Sequence, residues 1–252
     1  KALIAFSGGV DSTFLLYVVL EVLGKDNILA VTSASRIHPS YEIKDAKEIA
    51  EKMGVEHKII ETSELEKNNF LNNDSNRCYY CKKGLFTELS KIAKRNGFNQ
   101  VMDGSNYDDK TGDYRPGRKA GKELEIVSPL EEAKLTKKEI RKLSKKFDIS
   151  IWDKPGISCL ATRISYELEI TPERLQMVEN AEKYLRSFGL EQLRVRHHDD
   201  NTVRIEVLPE SFNTLLENRE DIIRRLKKIG YTYITMDIQG YRSGSMNEIL
   251  DD

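Results

Sequence analysis

The chain has 252 residues, of which 39% are apolar and 32% charged, a composition that suits one large globular domain or a medium and a small one. No run approaches the roughly 20 apolar residues of a membrane span and no signal-peptide pattern is present, which points away from membranes and export and toward the cytoplasm. Forty basic against 41 acidic residues leave a net charge of −1, an argument against a nucleic-acid partner, whose phosphates call for a basic excess.

The chain begins at Lys1 and enters a strand at once, so a short N-terminal piece is expected to precede it. ALIAF (2–6) reads as a buried strand, followed by an SGG turn and a helix that stops at Gly24. A second strand over 28–33, a helix over 41–53 with Ser40 as its N-cap and Gly54 as its stop, and a third strand over 56–62 continue the alternation. An Asn-rich stretch leads to a helix over 85–97 and a strand over 99–105, and 107–123 reads as a loop. Thr136 and Glu139 have capping-box spacing ahead of a helix over 136–147, whereas 151–165 has no periodicity. Thr171-Pro172-Glu173 starts a helix running to Gly189; then come strands over 193–199 and 202–208, a helix over 211–230 and a strand over 231–238. The pattern predicts an α/β protein, with a parallel sheet flanked by helices in residues 1–167 and a smaller α+β domain in 168–252.

The SGG turn joins a strand to a helix, so orphan backbone N–H groups and the positive end of the helix dipole meet there, a site for an anion. Gly8 and Gly9 let the main chain approach closely, and Ser7 and Ser12 add hydroxyl donors. The turn is neither GxGxxG nor the mononucleotide P-loop, for it lacks the lysine that holds the β- and γ-phosphates. SGGxDS after a first strand resembles the pyrophosphate loop of the N-type ATP pyrophosphatases, which include GMP synthetase, argininosuccinate synthetase and tRNA-thiolating enzymes. That resemblance implies ATP cleaved between its α- and β-phosphates, pyrophosphate kept in this loop, and Asp11 positioning Mg²⁺.

Three cysteines, Cys78, Cys81 and Cys159, are too few for a disulfide scaffold. Cys78-Tyr79-Tyr80-Cys81 has the CxxC spacing of two sulfurs on one metal or cluster. Four readings stand side by side: a zinc completed by His38 or His57, a redox pair, buried structural thiols, or a three-cysteine cluster with one iron open.

SGGVDST, RCYYCKKGLF, DGSNYDD, RPGRKAGKE, SPLEEAKLTKKEIR, WDKPGISCLATRI, RVRHHD and GYRSGSMNE follow one another in this order. Together they resemble the LarE family of ATP-dependent sulfur transferases over essentially the whole chain, with an adenine nucleotide alpha-hydrolase-like fold. The resemblance implies that ATP adenylates a carboxylate of pyridinium-3,5-biscarboxylic acid mononucleotide and that sulfur displaces AMP, once at each carboxylate, in biosynthesis of the nickel-pincer cofactor of lactate racemase. Cys159 is the family's sulfur-bearing position. Members with one cysteine sacrifice its sulfur and are left with dehydroalanine, whereas members with the added CxxC resemble this chain. For it the resemblance implies a [4Fe-4S] cluster on Cys78, Cys81 and Cys159, fed by a sulfide or other sulfur donor.

Further site residues follow from that resemblance. Ser33, ending the second strand, is where the fold contacts adenine. Gly104, Asn106 and Asp109 line the ATP side, unless they form an ordinary Asx-rich turn. Arg163, four residues after Cys159, steadies AMP or developing negative charge, unless it is an exposed arginine. Alternation puts Arg194, Arg196 and His198 on one strand face and Arg204 and Glu206 on a face of the next. With Arg242 they suit a nucleotide phosphate with carboxylates, the alternative being a solvated sheet face. The family forms homo-oligomers through this region. A tRNA thiolase with the same loop and a zinc-stabilised nucleotide-binding module are the rival functions.

Overall fold

The structure, a computed structural model, describes residues 1–111, 116–156 and 158–250. The chain opens with β1 (Ala2–Ala5), α1 (Val10–Leu23), β2 (Ile28–Ala34), α2 (Ser40–Met53) and β3 (His57–Glu61). After α3 (Asn68–Leu71) and the long α4 (Arg77–Arg95) come β4 (Gln100–Met102), α5 (Asp108–Thr111), α6 (Gly117–Glu123), α7 (Pro129–Glu132) and α8 (Lys137–Lys146). The remainder is α9 (Pro172–Arg186), β5 (Leu193–His197), β6 (Thr202–Val207), α10 (Phe212–Glu217), α11 (Arg219–Ile229) and β7 (Tyr233–Met236). The chain divides into two compact units, one of Lys1–Glu64 with Asn76–Ile157 and one of Leu65–Ser75 with Ser158–Asp252.

In the first unit four parallel strands pair in the order β3-β2-β1-β4. Successive β1 side chains point to opposite faces, so both faces need a cover. Ala2 and Ile4 pack with Phe14, Leu15 and Leu16 of α1, Ala46 and Ala50 of α2 and Ile140 of α8. Leu3 packs on the other face with Phe86 and Leu89 of α4 and Ala120 of α6. The chain steps from β1 to β2 and β3 in one direction and returns to place β4 on the far side of β1. The crevice at the carboxyl ends of β1 and β4 is therefore the topological switch point, where open α/β sheets bind ligands.

The second unit holds a three-stranded sheet, β5 antiparallel to β6 and β6 parallel to β7. Leu193, Val195, Val203, Ile205 and Val207 face the helices α9, α10 and α11, and form its core with Leu185, Leu215, Ile222 and Leu226. The alternate positions, Arg194, Arg196, Arg204 and Glu206, share the other face. Leu65–Ser75 joins this unit because Asn73 Nδ2 donates to Ser165 O at 2.7 Å and Leu168 O at 2.9 Å, while Ile170 N donates to Leu71 O at 2.9 Å.

Several expectations are corrected. The helix expected at 85–97 starts at Arg77 and carries the CxxC in its first turn. The stretch 107–123 contains two short helices, α5 and α6; its residues 112–115, within the RPGRKAGKE segment's approach, lie outside the described residues, as does Ile157 of WDKPGISCLATRI. Ser40 is the first helical residue of α2, and Pro39 takes the cap position without a side-chain bond. The helix expected over 211–230 breaks at Asn218 into α10 and α11. The capping box stands: Thr136 N donates to Glu139 Oε2 at 2.9 Å and Glu139 N to Thr136 Oγ1 at 3.3 Å.

Candidate active site

β1 delivers Ser7, Gly8 and Gly9 to the switch point. Gly8 has φ +70°, and a Cβ there would lie 2.9 Å from Ala46 Cα, so the turn needs glycine both for its backbone and for its seat against α2. Gly9 caps α1 without a side chain, leaving the first-turn N–H groups aimed into the crevice. Ser7 Oγ lies 3.0 Å from Ser12 Oγ, which donates to Gly9 O at 3.2 Å, and the two hydroxyls tie the turn closed. The turn after β4 presses on the same helix end: a Cβ on Gly104 would come within 2.9 Å of Ser12 N and Ser12 Cα. The result is a glycine cradle at a helix N-terminus, the kind of place that suits an anion.

Asp11 sits in the first turn of α1. Its Oδ2 accepts from Asn106 Nδ2 at 3.4 Å and from Lys137 Nζ at the start of α8. Its Oδ1 is buried and meets no donor among the described residues. Asn106 is itself buried and held by Asp109: Asn106 N donates to Asp109 Oδ2 at 3.1 Å, and Asp109 N to Asn106 Oδ1 at 3.2 Å. Ser33 Oγ lies 2.6 Å from Thr62 Oγ1 across the β2–β3 edge, outside this bonded set.

Behind the cradle lies Asp103. It accepts from Ser128 Oγ at 2.6 Å, from Ser105 Oγ at 2.8 Å and from Lys82 Nζ at 3.4 Å. Burial raises its pKa, but the Lys82 ammonium and the serine donors outweigh it and hold the carboxyl below the usual range. Lys82, Phe86, Asp103, Ser105, Arg118 and Ser128 line a cleft of about 180 Å³ beside α4.

Cys78 and Cys81 are half-buried, in no disulfide, and three residues apart at the start of α4. Cys159, likewise in no disulfide, belongs to the second unit and leads into a 3₁₀ turn over Leu160–Arg163. Its carbonyl is fixed by Thr162 Oγ1 at 2.8 Å and Arg163 NH1 at 3.1 Å. Among the described residues no three His, Cys, Asp or Glu side chains gather as a metal-ion site.

Arg163 is fully buried. Its Nε donates to Glu182 Oε1 of α9 at 2.8 Å, and NH1 to Ser158 Oγ at 2.7 Å and Ser158 O at 2.9 Å. Expected beside AMP or else at the surface, its side chain is instead enclosed within the second unit, where it ties the Cys159 segment to α9.

The charged sheet face is also buried rather than solvated. Arg194 stands opposite Glu206 and Arg196 opposite Arg204. Arg196 NH2 lies 2.8 Å from Glu206 Oε2 and donates to Ser245 Oγ at 3.0 Å, and Ser245 Oγ donates to Glu206 Oε1 at 2.8 Å. Arg242 Nε reaches Glu248 Oε1 at 3.1 Å and its NH1 Asp237 Oδ2 at 3.5 Å. Arg194 lies over the Tyr241 ring, and burial, then repulsion from Arg163, lower its pKa to about 10.

Among the residues singled out in the sequence, the structure thus brings together Ser7, Gly8, Gly9, Asp11, Ser12, Gly104 and Asn106, with Asp109 bracing the last. It separately gathers Arg194, Arg196, Glu206 and Arg242. The sequence reading missed Lys137, Lys82, Asp103, Glu182 and Ser245. For Lys137 the capping box fixed a helix start, but nothing linear links it to Asp11.

No helix among the described residues is long and apolar enough to cross a membrane. The NAD synthase family model matches residues 1–81. An uncharacterized protein of Synechocystis is 41% identical, covering 99% of this chain and 93% of its own, and one of Methanocaldococcus jannaschii is 32% identical, covering 96% and 91%. The pyridinium-3,5-bisthiocarboxylic acid mononucleotide synthase of Lactiplantibacillus plantarum is 36% identical, covering 99% of this chain and 90% of its own. With a glycine cradle at the switch point and full-length likeness to that synthase, the chain is an enzyme of the LarE family of ATP-dependent sulfur transferases.

Proposed function

We propose that this enzyme converts pyridinium-3,5-biscarboxylic acid mononucleotide to its bisthiocarboxylate, in the cytoplasm and within nickel-pincer cofactor biosynthesis. The observation that carries the proposal is the near-full-length match to a synthase named for that product. In the first step a substrate carboxylate oxygen attacks the α-phosphorus of ATP and pyrophosphate leaves. The SGG turn and the α1 N-terminus receive the leaving anion, with Ser7 and Ser12 as hydroxyl donors. Ser33 lies toward adenine, and Gly104, Asn106 and Asp109 toward the nucleotide. In the second step a sulfur nucleophile adds to the acyl adenylate and expels AMP, with Cys159 at the reacting sulfur. Arg163 acts as a positioning residue for the Cys159 backbone. Arg194, Arg196 and Arg242 receive the anionic mononucleotide, and Glu206 holds Arg196. The domain roles follow: residues 1–167 bind ATP, and 168–252 bind substrate and build a homo-oligomer.

Two groups absent from the structure are implied. The buried, unpartnered Asp11 Oδ1 fits a hard cation, and Asp11 would hold Mg²⁺ there, which supplies charge neutralisation to the phosphates. Three cysteines outside any disulfide, two of them at the start of one helix, are the donor type of a [4Fe-4S] cluster; Cys78, Cys81 and Cys159 would hold it, and it would supply a binding place for donor sulfide. The test of the first step is nucleotide analysis with ATP, Mg²⁺ and the pyridinium dicarboxylate. AMP and pyrophosphate formed only with that substrate are expected; ADP and orthophosphate, or AMP formed equally without it, would overturn the proposal.

A further inference from the structure

Cys78 and Cys81 are the second and fifth residues of α4, three apart and so on one helix face. No metal-ion site of three His, Cys, Asp or Glu forms around them among the described residues. Both are half-buried and in no disulfide, so a small reagent can reach them. Side chains of a helix lean toward its N-terminus, which tips Cys81 back toward the turn that carries Cys78.

Residues three apart on a helix have Cβ atoms about 5–6 Å apart, whereas a disulfide needs about 3.5–4.5 Å. Closing the pair therefore draws the start of α4 in by about 1–2 Å. Helix ends are the part that gives. Asn76 caps this one without a side-chain bond, and two amides share its carbonyl, Tyr79 N at 2.8 Å and Tyr80 N at 3.2 Å. Tyr79, between the cysteines, is held from outside the turn: its OH donates to Glu123 Oε2 of α6 at 2.8 Å and accepts from Lys83 Nζ at 2.7 Å. A disulfide closed against that hold is strained, and strained, reachable disulfides are the labile ones.

We propose that Cys78 and Cys81 are a reversible dithiol–disulfide couple, open to low-molecular-weight disulfides when no metal occupies the two sulfurs. One sulfur, as thiolate, attacks the small disulfide, forming a mixed disulfide and releasing one small thiol. The second sulfur displaces the other small thiol and closes the Cys78–Cys81 bond. Two protein thiols are oxidised, the small disulfide is reduced to two thiols, and the protons leaving the protein end on them. The closed pair has no thiolate to offer a metal, so oxidation locks this position and a dithiol reductant reopens it. The couple does not depend on the cluster proposed for the same cysteines.

The test equilibrates the full-length chain, freed of iron by a chelator, in anaerobic mixtures of reduced and oxidised glutathione. Remaining thiols are then blocked with N-ethylmaleimide for mass spectrometry. Trypsin releases both cysteines in one peptide, residues 78–82. The expected product is that peptide unblocked and two hydrogens lighter, with dithiothreitol restoring both blockable thiols. Both cysteines blocked at every ratio, each carrying its own glutathione, or either joined to Cys159, would overturn the couple. Tyr79→Phe keeps both cysteines and removes the hydroxyl that resists closure, so half-oxidation moves to a glutathione ratio about twofold or more toward reducing conditions. An unmoved midpoint would overturn the strain. Chain reconstituted with iron and sulfide is expected to resist oxidation; equal oxidation with and without iron would overturn the cluster on these cysteines and leave the couple standing.

Discussion

At the residue scale, the site rests on a few buried polar groups whose roles differ from their linear appearance. Asp103 stands in the DGSN turn as though it were one more Asx residue. In the fold it collects a serine hydroxyl from its own turn and, from two distant places in the chain, a second hydroxyl and an ammonium. Its carboxyl pKa lies below the ordinary value of 3.8, so its contribution to stability is complete above about pH 4 and is lost as the pH falls through the lowered folded value. Urea unfolding between pH 2.5 and 6 should show wild type losing stability steeply on the acid side, with a shallower slope in Asp103→Asn (roughly the window in which a carboxylate titrates). Equal slopes would mean that Asp103 is not the group responsible. Lys137 teaches the same lesson. Sequence located its helix start through the capping box, but a contact across 126 positions leaves no periodic or local trace. Gly8, by contrast, was legible, since a strand ending in SGG announces a backbone turn that side chains would obstruct.

At the element scale, the strand–helix alternation of the first unit could be read because buried parallel strands are continuous apolar runs and their helices end on glycines. The first turn of α4 could not. Arg77, Cys78, Tyr79, Tyr80 and Cys81 follow an Asn-rich stretch and carry no apolar repeat, so the helix was expected to start later. What stabilises that turn is tertiary: Tyr79 OH donates to Glu123 of α6 at 2.8 Å, and Lys83 Nζ to the same carboxylate at 3.1 Å. The alternation of β5 and β6 was legible as a charged face, but its burial was not, because periodicity cannot tell a solvated charge from a paired one. Glu182 lay hidden in the middle of α9, where an acidic residue is unremarkable. Burial raises its pKa, yet Arg163 first, with Arg194 and the Val195 N–H, outweighs it and holds it low. Arg163→Ala should therefore leave Glu182 buried with only Val195 N at 3.2 Å and the longer Arg186 contact at 3.9 Å, and cost about 3–5 kcal/mol in urea unfolding. A loss below about 1 kcal/mol, the range of an exposed pair, would contradict the anchoring role.

At the scale of the whole molecule, two units divide the work in the proposed reaction. The first builds a nucleotide cradle at its switch point, and the second supplies Cys159 and an arginine-rich face for an anionic substrate. The division by contacts falls at Ile157, with Leu65–Ser75 passing to the second unit, whereas composition suggested 167. Segment 158–167 has no helical or strand periodicity of its own, and its allegiance is set by Arg163 and Asn73, which act over distances that a linear reading does not see. The central claim is that ATP activates a pyridinium carboxylate for sulfur transfer. It is tested most directly by incubating the anaerobically reconstituted enzyme with ATP, Mg²⁺, sulfide and either the pyridinium dicarboxylate mononucleotide or bulk tRNA, and identifying sulfur-containing products by mass spectrometry. The account predicts thiocarboxylate mononucleotide from wild type and AMP without thiocarboxylate from Cys159→Ala. Thiolated tRNA with no thiocarboxylate, or full thiocarboxylate yield from Cys159→Ala, would contradict it.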